Sequence, residues 1–266
     1  MNAQECEDIK IPGFYAHAGV VPECKPFARF HGNREVVIFF HGLTGSPHDF
    51  HSYVPAYEAA GYDVVVPLLP GHGSHISHLE RLTYKELFIP FQPLNDYLRA
   101  RYERVHLVGL SYGAVLTANL ALRRPPDSVC FLAPAFYLTQ NTEKKMRMVS
   151  RLHLYRFKGR AAKTTLSGKN FKQHPFTYAH VPFLAASDLH AHAQEIRAHM
   201  SGQNWRVFHA HGDSDETTKL DENKQFLLDT FTDYTFHSVP GGTHVLPRSV
   251  GANEAALQHL AWLKRV

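Results

Sequence analysis

The chain has 266 residues, 44% of them apolar and 20% charged, with a net charge of +4. That composition supplies a sizeable core for one α/β domain over residues 1–266 and excludes a disordered polymer. No run of 18 or more apolar residues occurs, so no membrane-spanning helix is expected, and the acid-bearing N-terminus MNAQECEDIK lacks the basic and apolar regions of an export signal.

In chain order, VVIFF (36–40) reads as the first strand. A helix is expected over 47–60, opened by Pro47 and stopped by Gly61. YDVVV (62–66) is the next strand, and residues 83–101 form a helix whose Thr83 and Glu86 make a capping box. VHLVGL (105–110) leads into a helix over 112–123 that runs up to Pro125 and Pro126. SVCFLA (128–133), WRVFHA (205–210) and YTFHSV (234–239) are further strands, with helices over 218–230 and 251–264. Short continuous apolar runs of this kind suit a parallel sheet covered on both faces, and their alternation with helices implies right-handed βαβ units. The fold class is therefore α/β, a doubly wound and mostly parallel sheet. Residues 135–200 break the rhythm, with many charges, scattered Pro and Gly and no clear strand. A structureless stretch of that length would not sit inside a compact domain, so a mostly helical insertion is expected there.

The strongest chemical signal is Gly109-Leu110-Ser111-Tyr112-Gly113. It directly follows a strand and directly precedes a helix, the setting in which a serine on a strained turn is presented as a nucleophile. Such a turn leaves no room for side chains two positions either side, and Gly109 and Gly113 satisfy that. A serine hydroxyl needs a base. His244 stands in Pro240-Gly241-Gly242-Thr243-His244, just after the last strand. An acid to orient the imidazole is offered by His211-Gly212-Asp213-Ser214-Asp215-Glu216, just after the strand before it. The residues alone do not separate Asp215 from Asp213, and Asp233 is a third candidate. His41-Gly42-Leu43-Thr44-Gly45-Ser46-Pro47 follows the first strand. Its Leu43 N–H, with that of Tyr112, would supply the two donors an oxyanion requires. A phosphate-binding loop is the other reading of this stretch, but it has neither the lysine of a P-loop nor the spacing of a dinucleotide fold.

HGLTGSP, PLLPGHG, GLSYG, HGDSD and GGTH stand in an order and spacing that resembles bacterial carboxylesterases and monoacylglycerol lipases, the lysophospholipase-like or serine aminopeptidase S33 branch of the α/β-hydrolases. The resemblance covers about residues 25–260. It implies the α/β-hydrolase fold with a helical cap at 135–200 and hydrolysis of acyl esters through an acyl-enzyme. It carries Ser111, Asp215 (the aspartate of a G-x-x-D turn) and His244 over as a catalytic triad, and Leu43 and Tyr112 as the oxyanion donors. Thioesterase, lactonase and acyltransferase chemistry would use the same groups. A non-catalytic ligand-binding relative is the competing class.

No cofactor and no metal are expected. His72, His75 and His78 are spaced by three but have no carboxylate at ligand spacing before Glu80, and His190, His192 and His199 read as surface residues. Cys6, Cys24 and Cys130 are odd in number and widely spaced, which argues against a disulfide framework and for a reducing, cytoplasmic location. Cys130 reads as a buried thiol. Residues 140–175 hold ten Lys and Arg against the single acid Glu143. That segment reads as solvated helix faces, as an attractor of an anionic head group, or as a transient contact with an anionic lipid surface. Nucleic acid is excluded as a partner because no binding fold accompanies the charge. Of the insertion's aromatics (Phe136, Tyr137, Phe157, Phe171, Phe176, Tyr178 and Phe183), most are expected in the core of the insertion, some along an acyl pocket.

Overall fold

The computed structural model describes residues 11–14, 18–144, 176–178 and 181–265. Seven strands form one sheet: β1 (Phe27–Arg29), β2 (Glu35–Phe40), β3 (Asp63–Val66), β4 (Arg104–Leu110), β5 (Ser128–Leu132), β6 (Arg206–Gly212) and β7 (Asp233–Val239). Their order is β1-β3-β2-β4-β5-β6-β7. All pairings from β3 to β7 are parallel, and β1 alone pairs antiparallel, with Phe27 opposite Val66. The six strands read from the sequence are all present. β1 went unread because it is three residues long with only Ala28 buried.

Strand alternation divides the core in two. Ile38, Phe40, Leu107, Phe131 and Val207 point to one face. There they meet α2 (Tyr84–Phe88), α3 (Phe91–Arg99), α4 (Tyr112–Arg123), α5 (Phe183–Met200) and α6 (Leu220–Thr230). Val37, Phe39, Leu110, Leu132 and Phe208 point to the other, against α1 (Val54–Ala59) and α7 (Ala252–Leu263). Each fully buried Phe or Leu here contributes about 1.5–3 kcal/mol by leaving water.

Two stretches expected as single helices are each split in two. Residues 47–60 begin as a 3-10 turn, Pro47–Phe50, before α1. The stretch 83–101 keeps its Thr83–Glu86 capping box but breaks at Pro90, which lacks the N–H to continue α2 and instead caps α3. Helix α4 has the expected bounds, and Cys130 is buried as expected. Within residues 135–200, helix α5 packs Leu189, Ala193, Ile196 and Met200 into the same core as α4. Phe136 lies in that core too, while Cys6, Phe157, Phe171 and the basic residues from Lys145 to Lys172 lie outside the described residues. No described helix is long and apolar enough to cross a membrane.

Candidate active site

Ser111 follows β4, the central strand of the sheet, and is the residue before α4. Its backbone has φ 55° and ψ −112°, a left-handed conformation that a non-glycine side chain adopts at a cost of about 1–3 kcal/mol. The turn is held by Ser111 N–H donating to Leu132 O at 2.9 Å and by Ala135 N–H donating to Ser111 O at 3.1 Å. Both flanking glycines are sterically required. A Cβ on Gly109 would lie 2.3 Å from Gly113 O, and one on Gly113 would lie 2.0 Å from Phe40 O.

Parallel strands put the loops after β2, β4, β6 and β7 at one edge of the sheet. From these loops Ser111, Asp215 and His244 come together. His244 Nε2 lies 2.8 Å from Ser111 Oγ, and His244 Nδ1 lies 2.8 Å from Asp215 Oδ2. The last two loops are locked to each other: Ser214 N–H donates to Gly242 O at 3.0 Å and Asp213 N–H to Val239 O at 3.2 Å. A Cβ on Gly212 would meet Gly242 O at 2.1 Å, so the close approach depends on that glycine.

The structure separates the three acids. Asp215 has a side chain only 1% exposed. Its Oδ1 accepts from Thr217 N–H at 2.7 Å and Thr218 N–H at 3.1 Å. Its Oδ2 accepts from Thr218 Oγ1 at 2.7 Å as well as from the imidazoles of His244 and His211. Burial pushes its carboxyl up, but the charge of His244 and the donors from His211 and His244 outweigh burial, and Asp215 stays ionised well below the usual carboxylate range. Asp213 is exposed and accepts from Gly241 N–H at 2.8 Å, fixing the turn that carries His244. Asp233 sits at the start of β7, at the opposite sheet edge, 3.8 Å from Arg206.

The loop after β2 lies beside the serine, with a Cβ on Gly42 reaching 3.3 Å from Ser111 Cβ. Gly45 N–H donates to Gly42 O at 3.1 Å, and Thr44 N–H donates to His72 Nε2 at 3.0 Å. Leu43 N–H meets no acceptor among the described residues. Sequence reasoning missed what supports this loop. His41 Nδ1 lies 2.9 Å from Gly42 O, and its Nε2 accepts from Leu69 N–H at 3.0 Å. Burial, reinforced by His72, holds His41 far below the usual imidazole range and therefore neutral. Asp49, fully buried, accepts from Ser46 N–H at 3.2 Å and from Arg248 at 3.0 Å, which ties the loop to the segment just after His244. The pattern S-P-x-D was a visible signal for the Ser46–Asp49 cap; Arg248, 199 residues away, gave none. Of the spaced histidines, His72 is committed to this loop, while His75 and His78 bond Ser77 and Ser74. His192 stacks on Tyr84, ring centroids 3.8 Å apart, and His199 is exposed. Among the described residues no group of three or more His, Cys, Asp or Glu side chains is placed to hold a metal ion.

Ser111 and His244 open onto a cavity of about 480 Å³. Leu43, Leu138, Val181, Ala186, Leu189 and Val245 supply apolar wall, and Thr139, Asn141, Thr142 and Glu216 supply polar wall. A nucleophile bonded to a base, a base bonded to a buried carboxylate and a vacant backbone donor beside them are the parts an acyl-transfer site needs.

The model of the alpha/beta hydrolase family matches residues 37–260. A thermostable monoacylglycerol lipase from Bacillus sp. (strain H-257) is 36% identical over 98 residues, a match that spans 37% of this chain and 38% of that enzyme. Among solved structures, one described with the metagenome-derived lipolytic enzymes LipS and LipT superposes with a TM-score of 0.78 at 18% identity, covering 93% of this chain and all of the other. The monoacylglycerol lipase of Paleococcus ferrophilus superposes with a TM-score of 0.73 at 17% identity, covering 90% and 97%. At such identities the structural likeness is one of fold. The family match extends over most of the chain and includes every loop that meets at Ser111, and the chain belongs to the alpha/beta hydrolase family.

Proposed function

We propose that this chain hydrolyses carboxylic esters through an acyl-enzyme, with Ser111 as nucleophile, His244 as general base and Asp215 as the acid that orients it. The observation that carries the proposal is the unbroken row of contacts from Ser111 Oγ through His244 to Asp215 Oδ2, each 2.8 Å. With Asp215 ionised, His244 donates through Nδ1 and keeps the Nε2 lone pair free to take the serine proton. Ser111 Oγ attacks the ester carbonyl, and the negative charge formed on its oxygen is met by the N–H groups of Leu43 and Tyr112. One such donor contributes about 2.7–4 kcal/mol in comparable enzymes. His244 then gives the proton to the departing alcohol, and a water molecule activated by the same imidazole releases the acid. Every step is carried by the chain's own groups.

The mixed apolar and polar wall of the cavity supports an acyl chain joined to a small polar alcohol, as in a carboxylesterase or a monoacylglycerol or lysophospholipid lipase. The Bacillus relative's name points the same way. We read the insertion within residues 135–200 as a cap over this entrance; Leu138, Thr142, Val181 and Leu189, all on the cavity wall, support that, while the C-terminal part of α5 belongs to the helical layer on the sheet. Its basic stretch suits an anionic head group or transient contact with an anionic lipid surface. A reducing, cytoplasmic location is supported by Cys24 and Cys130, both buried free thiols. A p-nitrophenyl ester should give a burst of chromophore equal to the enzyme present, followed by steady turnover. An intact protein that binds such esters and releases none would contradict hydrolysis and favour a ligand-binding role.

A further inference from the structure

We propose that His211 and His209 form a buried relay behind the active site, fixing the orientation of Asp215 and tuning the basicity of His244. This rests on the reading of Ser111, Asp215 and His244 as a hydrolytic site. Strand β6 lies between β5 and β7, and its alternation puts Val207 in one core and Phe208 and Ala210 in the other. His209 and His211 share the face of Val207, and both are fully buried. Interior positions of a parallel strand favour aliphatic side chains, and two imidazoles there are costly unless each nitrogen is bonded.

Each nitrogen is bonded, in a single row. Tyr234 Oη lies 2.8 Å from His209 Nδ1, His209 Nε2 lies 3.1 Å from His211 Nδ1, and His211 Nε2 lies 3.1 Å from Asp215 Oδ2 and 3.2 Å from Thr218 Oγ1. The direction of the row follows from its end. An ionised carboxylate only accepts, so His211 must donate from Nε2. In its neutral form His211 then accepts at Nδ1 from His209 Nε2–H, and His209 accepts at Nδ1 from the Tyr234 hydroxyl. The facing groups agree with a neutral His209. Burial above all, with His211 and the Lys224 ammonium on α6, holds it far below the usual imidazole range. From β7 the row faces Tyr234 and the ring of Phe236, with Lys224 Nζ 4.7 Å from that ring's centroid; from the loop it faces Asp215 and, beyond it, His244. The neighbour on β5 in register with His209 is the apolar Phe131.

Two imidazoles therefore compete for one oxygen, Asp215 Oδ2. Donation from His211 draws charge from that oxygen and lessens its hold on a protonated His244. Bonds in a polarised row reinforce one another, so Tyr234 and His209 strengthen His211 as a donor. Here His211 is a positioning residue: it touches Asp215 and never the substrate.

The test is the NMR titration of the His244 ring in resting protein, for wild type, His211→Leu, His211→Gln and Tyr234→Phe. With the donor removed in His211→Leu, Asp215 holds a protonated His244 more strongly and the His244 midpoint should move to higher pH than in wild type. The acid limb of kcat/KM should move with it, and KM should stay near its wild-type value. His211→Gln, whose amide N–H can reach the same oxygen, should return the midpoint towards wild type. Tyr234→Phe, which removes only the half-buried terminal hydroxyl, should give a smaller shift in the same direction and serves if His211→Leu does not fold. Unmoved midpoints in the folded variants, or midpoints moved to lower pH, would overturn the relay. The titration needs no turnover, so it is separable from the hydrolytic reading. A protein that shows the shift but resists a fluorophosphonate at Ser111 keeps the relay and loses the hydrolase; one that is labelled without the shift loses the relay alone.

Discussion

Replacing Asp215 by asparagine should cost far more activity than replacing Asp213, and the reason lies in the sign of their partners. All five groups bonded to Asp215 donate: two imidazoles and the Thr218 hydroxyl to Oδ2, and the Thr217 and Thr218 N–H groups to Oδ1. An asparagine must turn its NH₂ towards one of these sets. The two backbone donors cannot change, so the NH₂ faces the imidazoles. His244 then relieves the clash by moving its proton to Nε2, which removes the lone pair that accepts the serine proton. Wrong-tautomer variants of this kind lose about 10⁴-fold in kcat, equivalent to about 5.4 kcal/mol of transition-state stabilisation. Asp213→Asn retains an oxygen for Gly241 N–H and should change stability by about 1 kcal/mol at most, with kcat close to wild type. Steady-state hydrolysis of a p-nitrophenyl ester, with circular dichroism to confirm folding, measures both. An inactive Asp213→Asn beside a nearly normal Asp215→Asn would refute the assignment.

Two further outcomes are expected. Arg248→Met leaves the Asp49 carboxylate, its side chain 3% exposed, without its cation, and should destabilise the protein by about 3–5 kcal/mol in chemical denaturation. Burial already raises the Asp49 pKa while Arg248 opposes it, so the variant's folded value rises further above the unfolded one; stability should fall as pH rises through that window and recover in acid, and Asp49→Asn in the same background should remove the pH dependence. If the basic stretch lies over the entrance, anionic esters should show a higher kcat/KM than neutral esters of equal acyl length at low salt. The ratio should fall towards one as exposed charges are screened beyond about 8 Å. Glutamine at Lys144, Lys145 and Arg147 should lower it, and a ratio indifferent to salt and to these changes would make them ordinary solvated surface.

Much of the sheet was legible because buried parallel strands are written as short continuous apolar runs, and because each was closed by Gly, Pro or a capping pair. Ser111 was legible for a local reason: strand, G-x-S-x-G and helix are adjacent in sequence, and the glycines are demanded because a Cβ on either would lie 2.0–2.3 Å from backbone oxygen of that same turn or of β2. The choice between Asp213 and Asp215 was not local. Two residues apart on one turn, they differ in which side chain the Thr217 and Thr218 N–H groups and His244 converge upon, and only the folded loop decides that. Strand β1 escaped because pairing with β3, not its own three residues, makes it a strand. The Asp49–Arg248 pair joins positions 199 apart and leaves no pattern. His209 and His211 did leave one. Histidines at alternate positions of an otherwise apolar strand mark one face as polar, and that face points at Asp215.

The most direct measurement is covalent labelling of the intact protein by a fluorophosphonate, located by peptide mass spectrometry, in wild type and in Ser111→Ala. The geometry at His244 Nε2, 2.8 Å from Ser111 Oγ, predicts one stoichiometric adduct on Ser111, with ester hydrolysis lost in proportion to labelling. Ser111→Ala should fold, escape labelling and retain only the small residual rate that binding and backbone donors supply. A label on another residue, or full ester hydrolysis by Ser111→Ala, would contradict Ser111 as the nucleophile.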